Sequence, residues 1–251
     1  SGRVRAPSQG GQSWLGHGSF LSGLWLDSQI RYDLMVTSDR ATLIDDLEAT
    51  GHRSVGVMPA ITRAWPAGRM LGYDRLLDAT SIDYAGPSLN WVTMPDQYTW
   101  QVVERARRAA GDRPVFVEVA LISSHAPWVP VLPVLDWDRI GDGGVFRRWA
   151  DAGDPPRVVW QDPARVREHF ARALAYAVRV AGEYAARSIG DDALLVLLGD
   201  HQPAPLITGA DAPRSVPVHV ISGDARLVEP FLAHGFARGM RPPEHGDAPR
   251  M

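Results

Sequence analysis

The 251-residue chain is 45% hydrophobic and 22% charged, with a formal net charge of −3. That composition fits a globular protein with a sizeable core and gives no reason to expect a nucleic-acid partner. There is no Cys, which excludes disulfides and thiolate metal sites. All 26 basic residues are Arg, spread along the chain, the pattern of a GC-rich coding bias rather than of a phosphate-gripping patch.

In chain order, residues 1–12, SGRVRAPSQGGQ, read as a Gly/Pro/Ser-rich loop or frayed end. SWLGHGSFLSGL reads as a short helix despite its glycines. Residues 39–50 form an amphipathic pattern, with Asp39 as N-cap and Gly51 as stop. Residues 54–58 read as a buried strand ended by Pro59, and 62–97 as a long aromatic-rich irregular insert. A helix over 98–110, a strong strand over 114–124 and a Pro/Trp-rich loop follow. A long helix then spans 162–188, with Asp162 and Pro163 at its start. Strands at 193–198 and 216–221 precede a tail, RPPEHGDAPRM, that reads as a loop. Strands alternating with helices imply an α/β sandwich with a mostly parallel sheet, in one domain over 1–251. No run has the length of a transmembrane helix or the form of a signal peptide. The chain begins with Ser, so a fragment or processed form is expected.

In parallel sheets ligands bind beyond the carboxyl ends of the strands. That rule selects Asp200 and His201 after one strand, Ser123, Ser124 and His125 after another, and Pro59 to Arg63 after a third. A carboxylate and a neutral imidazole together suit zinc or manganese. A helix-capping Asp beside a surface His is an equal reading of that dipeptide alone. His219 lies mid-strand and reads as a core or rim histidine. Asp96 and Gln97 look more like a helix start than a ligand pair.

The stretch SWLGHGSFLSG, 13–23, resembles the sulfatase signature, which runs Cys or Ser, x, Pro, Ser, Arg, x, x, Leu, Leu, Thr, Gly. Ser13 falls on the nucleophile position, His17 on the Arg position, and Leu21, Ser22 and Gly23 on the closing Leu-Thr-Gly. Leu15 replaces the Pro. With SSHAPW at 123–128 and DHQP at 200–203, the motif order resembles the alkaline phosphatase superfamily. Within it, the sulfatase-like branch of lipoteichoic acid synthases and phosphoethanolamine transferases is most similar.

The resemblance implies a three-layer sandwich and a metal-dependent phosphotransferase or phosphodiesterase-type hydrolase acting on an envelope lipid or polymer. Ser13 would be the nucleophile, at a helix start whose N–H groups suit an anion. Ser13, Asp200 and His201 would hold manganese or zinc. His125 would serve the phosphoryl oxygen or leaving group, and His17 would steady the nucleophile. Arg63, Trp65 and Trp128 would clasp a phosphorylated or sulfated small molecule or lipid headgroup. Each also has a structural reading: helix cap for Ser13, loop packing for Arg63, Trp65, Trp128 and His125, a half-buried helix histidine for His17. Two other functions stay open. One is a true sulfatase, with Ser13 oxidised to formylglycine and calcium as the metal. The other is an inactive domain binding glycans or partners through loops carrying several of its nine Trp residues.

The family's metal site takes a further carboxylate from a first strand upstream of the nucleophile, and no acid precedes Ser13 here. The resemblance therefore implies an N-terminal truncation with the first strand missing. The parent would be membrane-anchored, on the extracytoplasmic side. The shortened chain is expected to be less stable than that parent.

Overall fold

The computed structural model describes residues 1–243 and 248–251. The part of the expected tail loop at 244–247 lies outside the described residues. The chain divides into two compact units, Ser1–Leu43 with Ala185–Met251, and Ile44–Tyr184.

The second unit is built on a parallel sheet. Its centre is β2 (Arg53–Met58), with β3 (Arg75–Asp78) on one side and β4 (Val115–Val119) on the other. Val55, Val57 and Met58 are buried, as expected of a parallel strand covered on both faces. The helix α5 (Asp96–Ala109) packs on β2 and β4. Its buried residues Trp100, Val103 and Ala106 recur at helical spacing. The long helix α7 (Pro163–Ser188) buries Val166, Ala173, Tyr176, Ala177, Val180 and Tyr184 in the same way. Trp100 stacks on Tyr184 at 4.2 Å between ring centroids, joining α5 to α7. Asp162 starts α7 as expected, its Oδ1 accepting the Ala164 N–H at 2.8 Å.

The first unit is built on a second sheet, in the order β1 (Gly2–Arg5), β6 (Ser215–Ile221), β5 (Leu195–Leu198), and both pairings are antiparallel. Helices α1 (Ser13–Ser22), α2 (Gln29–Val36), α8 (Pro205–Thr208) and α9 (Ala225–Leu232) belong to this unit. The α/β class stands, but the expected mostly parallel sheet is parallel only in the second unit. A parallel neighbour needs a long crossover. The connection from β5 to β6 has only the four-residue α8 as regular structure, and it returns as a wide hairpin.

Three local expectations are corrected. The segment read as a loop at the start of the chain contains β1, because β6 offers it a ladder from Gly2↔Val218 to Arg5↔Ser215. The helix α3 begins at Leu43 and ends at Ala49, so Asp39 does not cap it; Thr42, which is buried, directly precedes it. The insert over 62–97 holds a short helix, α4 (Pro66–Met70), and the edge strand β3. The expected Pro/Trp-rich loop over 125–138 runs into a 3-10 turn, Trp137–Arg139, and a second such turn, Gly144–Trp149, and α6 (Pro156–Val159) follow it. Among the described residues no helix is long and apolar enough to cross a membrane.

Candidate active site

Ser13 is the first residue of α1, delivered by a sharply turned approach. Gly10, Gly11 and Gln12 have φ of 72°, 151° and 62°. Glycine accepts such angles freely; Gln12 adopts its left-handed conformation at a cost of roughly 1–2 kcal/mol. Backbone contacts fix this approach. The Gly10 N–H donates to the Gln202 carbonyl at 2.7 Å, and Gln9 pairs with Gln202 as an isolated parallel bridge. No side chain caps α1; the Leu15 N–H donates back to the Gln12 carbonyl at 2.9 Å, and the positive end of the helix dipole lies at Ser13.

The same helix lies against Asp200. A methyl group at Gly16 would sit 2.7 Å from the Asp200 carbonyl oxygen, closer than real contacts allow. Gly16 is therefore glycine because α1 touches the Asp200 backbone there. Ser13, Gly16 and His17 are related by three and four residues and share one helix face. Ser13 is thus on the face of α1 that meets Asp200. His17 is half-buried on that same face.

Asp200 and His201 follow β5 through Gly199, where a side chain would press on Val216 at 3.2 Å. The His201 N–H donates to Asp200 Oδ1 at 3.0 Å, and His201 Nδ1 lies 2.8 Å from the Gln202 carbonyl. A carbonyl only accepts, so Nδ1 carries the proton and Nε2 is left as the reactive nitrogen. Nε2 lies 3.5 Å from Asp200 Oδ2. A neutral imidazole there sets a lone pair against a carboxylate, an arrangement relieved by a shared proton or cation. Two ligands at about 2.1 Å from a tetrahedral ion lie about 3.4 Å apart. The pair fits a divalent metal in donor type and in separation, and the Nδ1–carbonyl bond is the outer contact that orients a ligating histidine. Among the described residues no group of three or more His, Asp or Glu could hold a metal. The strong donors of this site are Asp200 and His201, and Ser13 begins the helix whose Gly16 touches the Asp200 backbone.

Sequence reasoning missed the loop before Ser13. Ser8 Oγ and Gln9 Nε2 are buried without a hydrogen-bond partner among the described residues. They stand in the segment whose backbone is bridged to Gln202, the residue after His201. The Gly10–Gly11 pair was the one signal that a special backbone lay here.

The other expected residues lie in the second unit. β2 and β4 are parallel, so the segments carrying Arg63 and His125 leave the same end of that sheet. Arg63 and His125 are exposed. His125 Nδ1 lies 2.6 Å from the Ala126 carbonyl, and its ring lies 6.1 Å from that of Trp91. Trp65 is half-buried over Gly68, whose missing side chain makes room for its ring. Trp128 is only 7% exposed. It stacks on Trp160 at 5.5 Å, meets Phe170 edge-on and donates its indole N–H to the Ser124 carbonyl at 2.7 Å. It braces the loop after β4. Asp96 begins α5, as expected of a helix start, and His219 is half-buried in β6, with burial lowering its pKa.

No family model matches the chain, and no curated protein matches it. Solved structures do. A protein in the alkaline phosphatase superfamily from Vibrio parahaemolyticus superposes with a TM-score of 0.57 at 16% identity, over 89% of this chain and 52% of that one. The lipoteichoic acid synthase LtaP from Listeria monocytogenes superposes with a TM-score of 0.47 at 14% identity, over 80% of this chain and 48% of that one. The chain spans about half the length of these solved structures. The first of these matches shows the fold alone: an α/β fold like that of a solved protein in the alkaline phosphatase superfamily.

Proposed function

We propose that the chain is a metal-dependent phosphotransferase or phosphodiesterase-type hydrolase with Ser13 as nucleophile. The observation that carries this reading is the convergence of two sequence-distant segments, the start of α1 and the stretch after β5. The Gly10–Gln202 bond, the Gly16–Asp200 contact and the Asp200–His201 pair bring the start of α1 to two metal-type donors. The superfamily fold supports it.

Asp200, His201 and Ser13 would hold manganese or zinc, whose Lewis acidity would make the Ser13 hydroxyl a competent nucleophile and polarise a phosphoryl oxygen. Ser13 Oγ attacks phosphorus and gives up its proton; the bond from phosphorus to the departing alcohol breaks, and that alcohol takes a proton. Water or an acceptor alcohol then cleaves the phosphoserine ester and restores Ser13. The uncapped N–H groups of α1 favour the anionic group being transferred. His17, on the Ser13 face of α1, steadies the hydroxyl. By resemblance, His125 serves the leaving group, Arg63 and Trp65 serve substrate binding while the buried Trp128 braces the loop that carries His125, and the substrate is a phosphorylated lipid headgroup or polymer outside the cytoplasmic membrane. Residues 1–251 form one catalytic domain in this reading, which the match over 89% of the chain supports.

The test is hydrolysis of a water-soluble phosphodiester with manganese or zinc added. Activity is expected to vanish with chelator, to return with metal, and to fall at least about 10³-fold in Ser13→Ala. A phosphodiester adduct on the Ser13 peptide, a phosphoryl group that keeps the substrate's second alcohol, is expected after rapid quenching. Full activity in Ser13→Ala overturns the assignment.

A further inference from the structure

Next to Ser13 the surface turns apolar. The helix α2 is hydrophobic on two faces. One face, with Tyr32, Met35 and Val36, is buried, and Tyr32 packs on α1 where Gly18 leaves room. The other carries Ile30 and Leu34, one turn apart, which are 72% and 65% exposed. Trp14, the residue after Ser13, is 40% exposed, and its indole N–H donates to Gln29 Oε1 at 2.9 Å. That bond ties an exposed tryptophan to the first residue of α2. A surface helix ordinarily turns charge outward; large exposed aliphatics beside a tryptophan mark an interaction surface.

The rim of this surface is cationic. Arg31 on α2 donates to the Trp25 carbonyl at 3.4 Å. The guanidiniums of Arg5 and Arg250 lie 5.9 and 5.2 Å from the Trp25 ring centroid. Arg31 is paired with Asp27, and Asp33 accepts from Gln29. Arg5 and Arg250, both exposed, have no carboxylate partner among the described residues. Weakly hydrated guanidiniums held on an aromatic ring, which Arg31 joins to the helix carrying exposed Ile30 and Leu34, match the layering of a membrane interface, with phosphates outside and acyl chains beneath.

We infer that Trp14, Ile30 and Leu34 enter an anionic phospholipid surface while Arg5, Arg31 and Arg250 contact its headgroup phosphates, so that the start of α1 faces the bilayer. The consequence for Ser13, delivery to headgroup phosphates, rests on the proposed function; the docking itself does not. The surface is aromatic and aliphatic at its centre and basic at its edge, which favours anionic over neutral lipid.

The experiment is co-sedimentation of the full chain with vesicles of phosphatidylglycerol mixed into phosphatidylcholine, and with phosphatidylcholine alone. Binding is expected to the anionic vesicles only, with a blue shift in tryptophan fluorescence and a loss at high salt. The double variant Ile30→Ser, Leu34→Ser is expected to bind about tenfold or more weakly. Arg5→Gln with Arg250→Gln is expected to weaken anionic binding as well. Both variants should keep the circular dichroism of the parent and its hydrolysis of a soluble phosphodiester. Equal binding to both vesicle types, or unchanged binding by the Ile30, Leu34 variant, overturns the inference. So does a sedimentation equilibrium showing that these residues hold two copies together. A chain that binds anionic vesicles but never hydrolyses a phosphodiester would sink the proposed function and leave the docking surface standing.

Discussion

Asp96 and Asp200 stand where loops meet ordered elements, and they are used in opposite ways. Asp96 is 0% exposed. Its Oδ1 accepts the N–H groups of Ile122 and Ser123 at 2.9 and 2.8 Å, and its own N–H donates to Ser123 Oγ at 2.9 Å. It ties the start of α5 to the loop after β4. The Asp200 side chain is 39% exposed and has Oδ2 facing an imidazole nitrogen. An aspartate that gives its oxygen to the backbone of another segment holds the fold together. One that keeps an oxygen against a second acceptor, within reach of solvent, is arranged for a cation.

The largest effect expected from this contrast is on activity. Asp200→Asn removes the charge that a divalent ion needs but keeps the shape. Phosphodiester hydrolysis should fall by about 10³-fold, and the midpoint of urea unfolding should barely move, because Asp200 braces little. A variant that unfolds in proportion to its lost activity would place Asp200 with Asp96, as a brace. Gly16→Ala tests the backbone contact beneath the same site. Alanine would gain about 1 kcal/mol in helix propensity but lose about 1–3 kcal/mol to the clash with the Asp200 carbonyl. The expected outcome is a lower unfolding midpoint together with reduced activity. Gly182→Ala in α7, where nothing lies within 4 Å, is the control and should be stabilising. Equal behaviour of the two variants would remove the contact from the argument.

Much of this was legible in the sequence for identifiable reasons. The α1 motif, β2, β4 and α7 announce themselves by periodicity, by bounding Gly and Pro, and by the Asp162–Pro163 start. Ser13, Asp200 and His201 are distinctive residue types at recognisable spacings, and the structure places all three in one unit. What stayed hidden depends on partners distant in the chain. GRVR is a strand because β6 is beside it, and neither the apolar run of β5 nor the alternation of β6 says anything about the direction in which they pair. The bridge from Gln9 and Gly10 to Gln202 is made by backbone angles that Gly-Gly permits but does not dictate. Trp128 in a Pro-rich loop reads equally as a substrate contact or as packing, and only Trp160 and Phe170 reveal its burial.

The smallest expected effect is the most specific to Asp96. Burial pushes its carboxyl pKa up from the ordinary 3.8, against the N–H groups of Ser123 and Ile122 and the Ser123 hydroxyl, which pull it down. Its Oδ2 is buried without a partner among the described residues, so the neutral acid suits the folded state better than the anion does. In the unfolded chain the group ionises near its ordinary value. As pH rises from about 4 the unfolded state loses this proton first. Stability therefore falls with rising pH until the folded group also ionises, the reverse of a salt-bridged aspartate. Asp96→Asn keeps an oxygen for the Ile122 and Ser123 N–H groups and cannot ionise. Its unfolding free energy, measured from pH 4 upward, should start below that of the parent, because a buried amide is left short of an acceptor, and the gap should narrow as pH rises. A gap that widens with pH would mean that Asp96 is ionised in the fold and that a cation, not burial, sets its charge.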